Sequence, residues 1–440
     1  MIDCFVPRND GRLKNQELQI VALQKLIFTI SYQLKTDYFS IMHRRSFIKK
    51  SALFSSGLLV ADAAVAKLSL NREKIINIAM IGCGDRGKGV LSVIKSMPAK
   101  FNIVAYCDVL DFRLDETKKY VPASAKAIKN YKQILDDKNI DAVFIATPLS
   151  EHFHIAKDAV LAGKHIYVEK TMTYNIAQAL ELRSLVLKHP KQVYQVGYQY
   201  RYSPLYFKVK DMIRSGYLGE VSQVDCRWDR NGNWRRKVND PKLERQINWR
   251  MYKEYSGGLA AELLSHQIDF INWAFETQPD VITGTGGIDV FKDGRETYDN
   301  IQTMLRYEKA GMIGNFGATC GNAHDGYLFK IKGTKGSVSL LTDTGIFYPE
   351  QQTKKELGIV DGVTGATKIV VNKDGGIPIL DTPTKDGTTY ALDEFYESVI
   401  SGKLPASNVK TGTQAAICVA MCNEAIYSGN KQVWKPEYNL

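Results

Sequence analysis

Residues 75–89, IINIAMIGCGDRGKG, decide how the rest of the chain is read. A short apolar run (Ile75, Ile76, Ile78, Met80, Ile81) ends abruptly in Gly82-Cys83-Gly84-Asp85-Arg86-Gly87, and a helix-like segment follows. Short runs rich in branched residues suit a strand buried on both faces of a parallel sheet. In a dinucleotide fold the first glycine permits the sharp bend, the second lets backbone approach a pyrophosphate, and the third lets helix pack close on strand. The helix N-terminus then offers free N–H groups and the positive end of its dipole to phosphates. Glycine-rich turns are common, so the motif carries weight because strand, helix and a downstream acid agree. That acid, Asp108, closes a second strand pattern (102–107) 21 positions beyond Gly87, about where a carboxylate meets the adenosine ribose hydroxyls. A carboxylate there repels a 2′-phosphate, which favours NAD; Arg86 and Arg113 lie close enough in sequence to keep NADP open.

At 440 residues the chain is long enough for two domains plus extras. Hydrophobic residues at 44% and charged ones at 24% are those of a globular chain. The formal charge of +11 invites a nucleic-acid reading, but residues 1–66 hold nine Lys/Arg against five Asp/Glu, leaving +7 on the rest. That remainder has no basic run interleaved with aromatics, so nucleic acid is not expected as a partner. Residues 42–66 place Arg44-Arg45 before Phe47-Ile48-Lys49, then a modest apolar stretch ending in Ala64-Val65-Ala66. This is the layout of an export signal and resembles a twin-arginine one. Its apolar part is too short to span a membrane, and no cysteine follows for a lipid anchor. Residues 1–41 precede the signal and read as a mis-assigned or disordered extension, with translation expected to begin at Met42. The seven cysteines show no CxxC or His/Cys cluster, so no metal is expected.

Further strand and helix patterns alternate through the first domain. Strands are expected at 141–147, 166–168 and 192–196, and helices at 151–162 and 175–188. This is a doubly wound α/β sheet, and Glu169-Lys170 stand at the carboxyl end of one strand, where such folds hold ligands.

Gly82-x-Gly84-x-x-Gly87, Ala146-Thr147-Pro148-x-x-x-His152, Gly163-Lys164-His165 and Glu169-Lys170 together resemble the Gfo/Idh/MocA oxidoreductases (glucose–fructose oxidoreductase / inositol dehydrogenase-like). The resemblance continues through Gly197-Tyr198-Gln199-Tyr200-Arg201-Tyr202 and covers nearly all of the chain after residue 74. It implies a Rossmann domain at 74–197 and an α+β domain at 198–440, built on a large, open, mainly antiparallel sheet. It also implies NAD held by Gly82, Cys83, Gly84, Asp85, Arg86, Gly87, Asp108, Thr147, Pro148, His152, Glu169 and Lys170. A homo-oligomer, dimer or tetramer, is expected through the open sheet. Thr171 departs from the family's proline after Glu-Lys, which leaves the shape of that turn open.

In the second half, strands are expected at 221–228, 301–307, 312–318, 328–332 and 337–341. A helix at 257–269 spaces Glu262, His266 and Asp269 at i, i+4 and i+7, on one face. The family pattern there is Asp-x-Gly-x-His-x-x-Asp, from which Glu262 and Leu264 depart. Oxidising a secondary alcohol moves a hydride to nicotinamide while a base takes the hydroxyl proton, and histidine suits that task. His266 is the expected base. Lys170, expected beside Glu169, steadies the alcohol oxygen, and Asp269 or Glu262 orients His266 or holds a sugar hydroxyl. Residues 227–255 are dense in Arg, Trp and Asn, which suits a sugar or polyol, or an interface arm. Tyr200, Arg201, Trp249, Arg250 and His266 are the expected substrate contacts. Helices at 393–405 and 411–428 are expected to pack beside the first domain. The expected function is an exported, periplasmic NAD(P)-dependent oxidoreductase acting on a sugar, glycoside or polyol, with tightly retained cofactor. The alternative is an NAD-dependent glycoside hydrolase using transient oxidation, and a non-catalytic ligand sensor stands third.

Overall fold

The computed structural model describes residues 74–324, 326–350 and 375–439; the expected extension 1–41 and export signal 42–66 lie outside them. β1 (Ile76–Ile81) runs into the glycine turn and α1 (Asp85–Lys95) leaves it. With β2 (Phe101–Cys107), β3 (Lys126–Ile128), β4 (Ala142–Ile145), β5 (His165–Val168) and β6 (Tyr194–Val196), β1 forms a sheet. Among the described residues it has six parallel strands in the order β3-β2-β1-β4-β5-β6. The strand order reverses between β1 and β4, and the crevice at their carboxyl ends is where such folds bind ligands. Ile76, Ile78 and Met80 feed one core while Ala79 and Ile81 feed the other. Both faces are buried, which is why the stretch reads as a continuous apolar run. α2 (Leu149–Leu161) and α3 (Ile176–Leu187) cover the sheet much as expected.

After α4 (Pro204–Arg214) the chain builds its second sheet from β7 (Val221–Trp228) onward. The expected helix at 257–269 is a π-helical turn, Ala260–Leu264, followed by α5 (Ser265–Phe275). Then come β8 (Val281–Gly287), β9 (Asn300–Tyr307), β10 (Met312–Thr319), β11 (Tyr327–Gly333), β12 (Gly336–Leu340), β13 (Gly345–Pro349), β14 (Ile377–Pro378) and, near the end, β15 (Gln432–Val433). Their order is β14-β13-β12-β11-β7-β10-β9-β8-β15, antiparallel except for the parallel pair β7–β10.

The boundary expected at 197/198 separates the two sheets but not their cores. α6 (Gly387–Ser401) returns to the first sheet, with Phe395 ring centroids 5.1 Å from Phe144 and 6.0 Å from Tyr167. Gln195 Nε2 donates to the carbonyl of Ala391 at 2.7 Å. α7 (Val409–Ser428) packs on α3 and on β8, tying the two sheets together. Cys418 and Cys422 lie buried on it.

Candidate active site

The glycine turn is built for close approach. Gly82 has φ +96°, and a Cβ there would sit 2.6 Å from the carbonyl of Ala146. A Cβ on Gly87 would stand 2.0 Å from the Gly82 oxygen, and one on Gly84 would meet the Arg113 guanidinium at 2.8 Å. Asp108 accepts from the backbone N–H of Cys83 (2.8 Å) and of Leu110 (3.0 Å), which fixes its carboxylate at the end of β2. A cavity of about 330 Å³ lies over this turn, lined by Gly82, Gly84, Asp85, Arg86, Asp108, Thr147 and Pro148. Its other wall is the arm from the second half, with Arg236, Trp249, Arg250 and Tyr255. A glycine cradle, a fixed carboxylate at the second strand end and a cleft between them fit a dinucleotide. Cys83 takes part through its backbone alone. Its thiol points to the Cys107 carbonyl at 3.4 Å, and burial, with Asp108 nearby, pushes it up to about 12.

A second cavity of about 630 Å³ opens from the first and shares Asp85, Arg86, Thr147, Arg236, Trp249 and Arg250 with it. Lys170 and His266 line it together, with Glu169, Glu262, His152, Trp228, Arg230 and Trp234. Lys170 is not held by Glu169, as the sequence suggested. Its Nζ donates to the backbone carbonyls of Glu262 (2.8 Å) and Ala261 (3.3 Å), while Glu169 pairs with Arg86 at 2.7 Å. The stronger charge partner for a rigid carboxylate is the guanidinium, which also donates to Thr388 at 3.2 Å. The Lys170–Thr171 peptide bond is cis, with threonine in the family's proline position. Burial lowers the Lys170 ammonium below its usual 10.5, with Glu262 and Glu169 opposing.

The expected triad on one helical face divides. Glu262 and His266 reach the cavity, Glu262 held by Arg250 Nε at 2.7 Å. Burial would raise the Glu262 carboxyl, but Arg250 and Lys170 outweigh it and hold it below 4.5. Asp269 does not face His266. One turn further along α5, it is 1% exposed and accepts from Arg201 Nε at 2.8 Å and from the terminal nitrogen at 2.9 Å. Arg201 is equally buried, so this expected substrate contact is a core ion pair instead. His266 has no carboxylate orienter among the described residues. Its ring packs against Tyr200 (5.2 Å), Tyr198 (5.9 Å) and Trp228 (6.0 Å), and its Nδ1 is buried without a hydrogen-bond partner. Burial, then Lys170 and Arg86, hold the imidazole well below 6.5.

His152 is a clamp beneath the site. Its ring nitrogens lie 2.8 Å from the Thr171 carbonyl and 3.0 Å from that of Thr147, joining the Lys170 turn to the end of β4. Tyr200 stacks on Tyr206 at 4.0 Å and hydrogen-bonds the Tyr327 hydroxyl at 2.7 Å. The sequence marks Trp228 and Arg236 only as part of a stretch suited to a sugar or an interface arm, and it does not single out Gln199 as a lining residue. The Arg/Trp density of 227–255 was the signal for the first two. Arg230 lies over both Trp228 and Trp234, 5.7 Å from each ring centroid, and Arg236 pairs with Asp85 across the cleft.

Two family models match the chain. One, described as an oxidoreductase family with an NAD-binding Rossmann fold, covers residues 76–198; the other, the GFO/IDH/MocA C-terminal domain, covers 206–339. Oxidoreductase P35 of Formosa agariphila is 27% identical over 299 residues, 66% of this chain and 85% of that protein. Levoglucosan dehydrogenase of Pseudarthrobacter phenanthrenivorans is 27% identical over 293 residues, 60% of this chain and 73% of that one. A solved levoglucosan dehydrogenase in complex with NADH and levoglucosan superposes with a TM-score of 0.65 at 21% identity, over 82% of this chain and 99% of the other. The glycine cradle, the two joined cavities and these matches place the chain in the Gfo/Idh/MocA family of NAD-binding oxidoreductases.

Proposed function

We propose that this protein oxidises a secondary alcohol of a sugar, glycoside or polyol, or reduces the corresponding ketone, with NAD as the hydride carrier. The observation that carries the reading is that Lys170 and His266 line one cavity, continuous with the cleft over the glycine turn. The levoglucosan dehydrogenase relative supports the substrate class. NAD, when bound, supplies a ring carbon that accepts or returns hydride. His266, unprotonated at neutral pH, takes the hydroxyl proton. Lys170 donates to the same oxygen and offsets the negative charge that develops on it. The carbonyls of Ala261 and Glu262 aim the Lys170 ammonium. Glu262, Arg250 and Trp249 offer polar and aromatic contacts for neighbouring hydroxyls, with Arg250 tied to Glu262.

The same reading includes export and retention of the cofactor. The twin-arginine-like segment 42–66 supports the first, and the arm over the nucleotide cleft supports the second. A homo-oligomer through the open sheet is consistent with Met304 and Ile313, left exposed on β9 and β10. The test is to load the protein with NAD and follow absorbance as glycosides and polyols are added. Lys170→Ala should keep nucleotide affinity and lose turnover by about 10²–10³-fold, the cost of removing one charge-stabilising donor. Unimpaired turnover in that variant would remove Lys170 from the reaction.

A further inference from the structure

Beyond His266, away from Lys170, lies a third chamber of about 220 Å³. It shares Arg86, Gln199, Trp228 and His266 with the 630 Å³ cavity, so the two adjoin along these four residues. Lys170 lines the larger part alone. The smaller part is walled by Ser203, Thr342, Thr384 and Lys385, with the Tyr200 ring beside His266. The volume is that of roughly seven waters at ~30 Å³ each, room for one pyranose ring. Hydroxyl and amine donors around an aromatic face are what a sugar ring needs, since it offers hydroxyls at its rim and C–H groups on its faces.

We propose that this chamber is a second sugar subsite, and that the substrate is a disaccharide or glycoside whose two units straddle His266. The unit to be oxidised lies in the larger chamber with Lys170, and its partner lies in the smaller one. This rests on the carbohydrate oxidoreductase reading above. The test uses the NAD-loaded full chain with glucose, galactose and mannose, their methyl glycosides, and cellobiose, lactose and maltose. Turnover and the shift in melting temperature are both read. At least one two-ring ligand should exceed its constituent monosaccharide by about tenfold in kcat/KM and shift the melting point further. Thr342→Trp, which fills the chamber from an exposed turn, and Lys385→Ala should each cut that advantage to about threefold or less while leaving single-ring rates unchanged. Single rings that match every two-ring ligand, or an advantage that survives both substitutions, overturn the subsite and leave the oxidoreductase reading standing. Silence from every sugar in both assays overturns the carbohydrate reading, and the subsite with it.

Discussion

Burial beside Lys170 and Arg86 keeps the His266 imidazole unprotonated until the pH is well below 6.5. Protonation would remove the base, so kcat/KM should hold through neutrality and fall on the acid side with an apparent pKa below 6.5. His266→Asn should lose about 10²–10⁴-fold and flatten that limb, as initial rates across the acid range would reveal. Asp269 behaves differently. Replacing it by Asn strands a buried guanidinium and should cost about 3–5 kcal/mol of stability, seen as an early urea midpoint, while the folded fraction stays active. A midpoint unchanged from wild type, with activity gone, would return Asp269 to the reacting centre. The i, i+4, i+7 spacing correctly marks Glu262 and His266 as cavity neighbours. It is silent on Arg201, 68 residues earlier, because a helical repeat carries no information about what the next layer presents. The same limit explains Lys170, whose adjacent Glu169 is claimed by a guanidinium from the glycine turn.

At the scale of elements, the turn after β1 distinguishes its glycines by what surrounds them. A methyl on Gly87 meets backbone oxygen, which cannot swing aside, so Gly87→Ala should destabilise by about 3 kcal/mol, the upper end for overpacking. A methyl on Gly84 meets the end of the Arg113 side chain, which can move. Gly84→Ala should therefore fold and show its defect in nucleotide titrations instead; equal melting curves for the two variants would contradict this distinction. Five of the six parallel strands were legible because burial leaves an unbroken apolar signature; β3 was not, being three residues long and largely exposed. β8 was not, since VITGTGG has few side chains to pattern, and β14 and β15 are two-residue edges shorter than any periodicity. The π-helical turn at Ala260–Leu264 also has no hydropathy signature, although it carries Glu262 and the carbonyls that aim Lys170.

For the molecule as a whole, the nucleotide cleft is closed by chain from both halves, with Arg236 reaching Asp85 across its mouth. Both groups are substantially exposed, so the pair adds little to stability; its effect should lie in how fast the nucleotide leaves. Arg236→Ala should accelerate NAD release roughly tenfold, about 1.4 kcal/mol of barrier, with the melting point of the nucleotide-free protein nearly unchanged. Stopped-flow fluorescence of bound NADH would show it, and an unaltered release rate would mean the arm is no latch. The doubly wound sheet was legible from motifs, and the return of a closing helix to it was expected at 393–405, where α6 runs Gly387–Ser401. That return matters during synthesis. Part of the side of the nucleotide domain bearing Phe144 and Tyr167 lacks its cover until translation has passed Phe395, and the Arg86 guanidinium waits for Thr388 on the same helix. A nascent chain paused after β6 thus offers sticky aromatic surface to chaperones, and a stop codon upstream of α6 would disable the cofactor half of the enzyme from the opposite end of the gene.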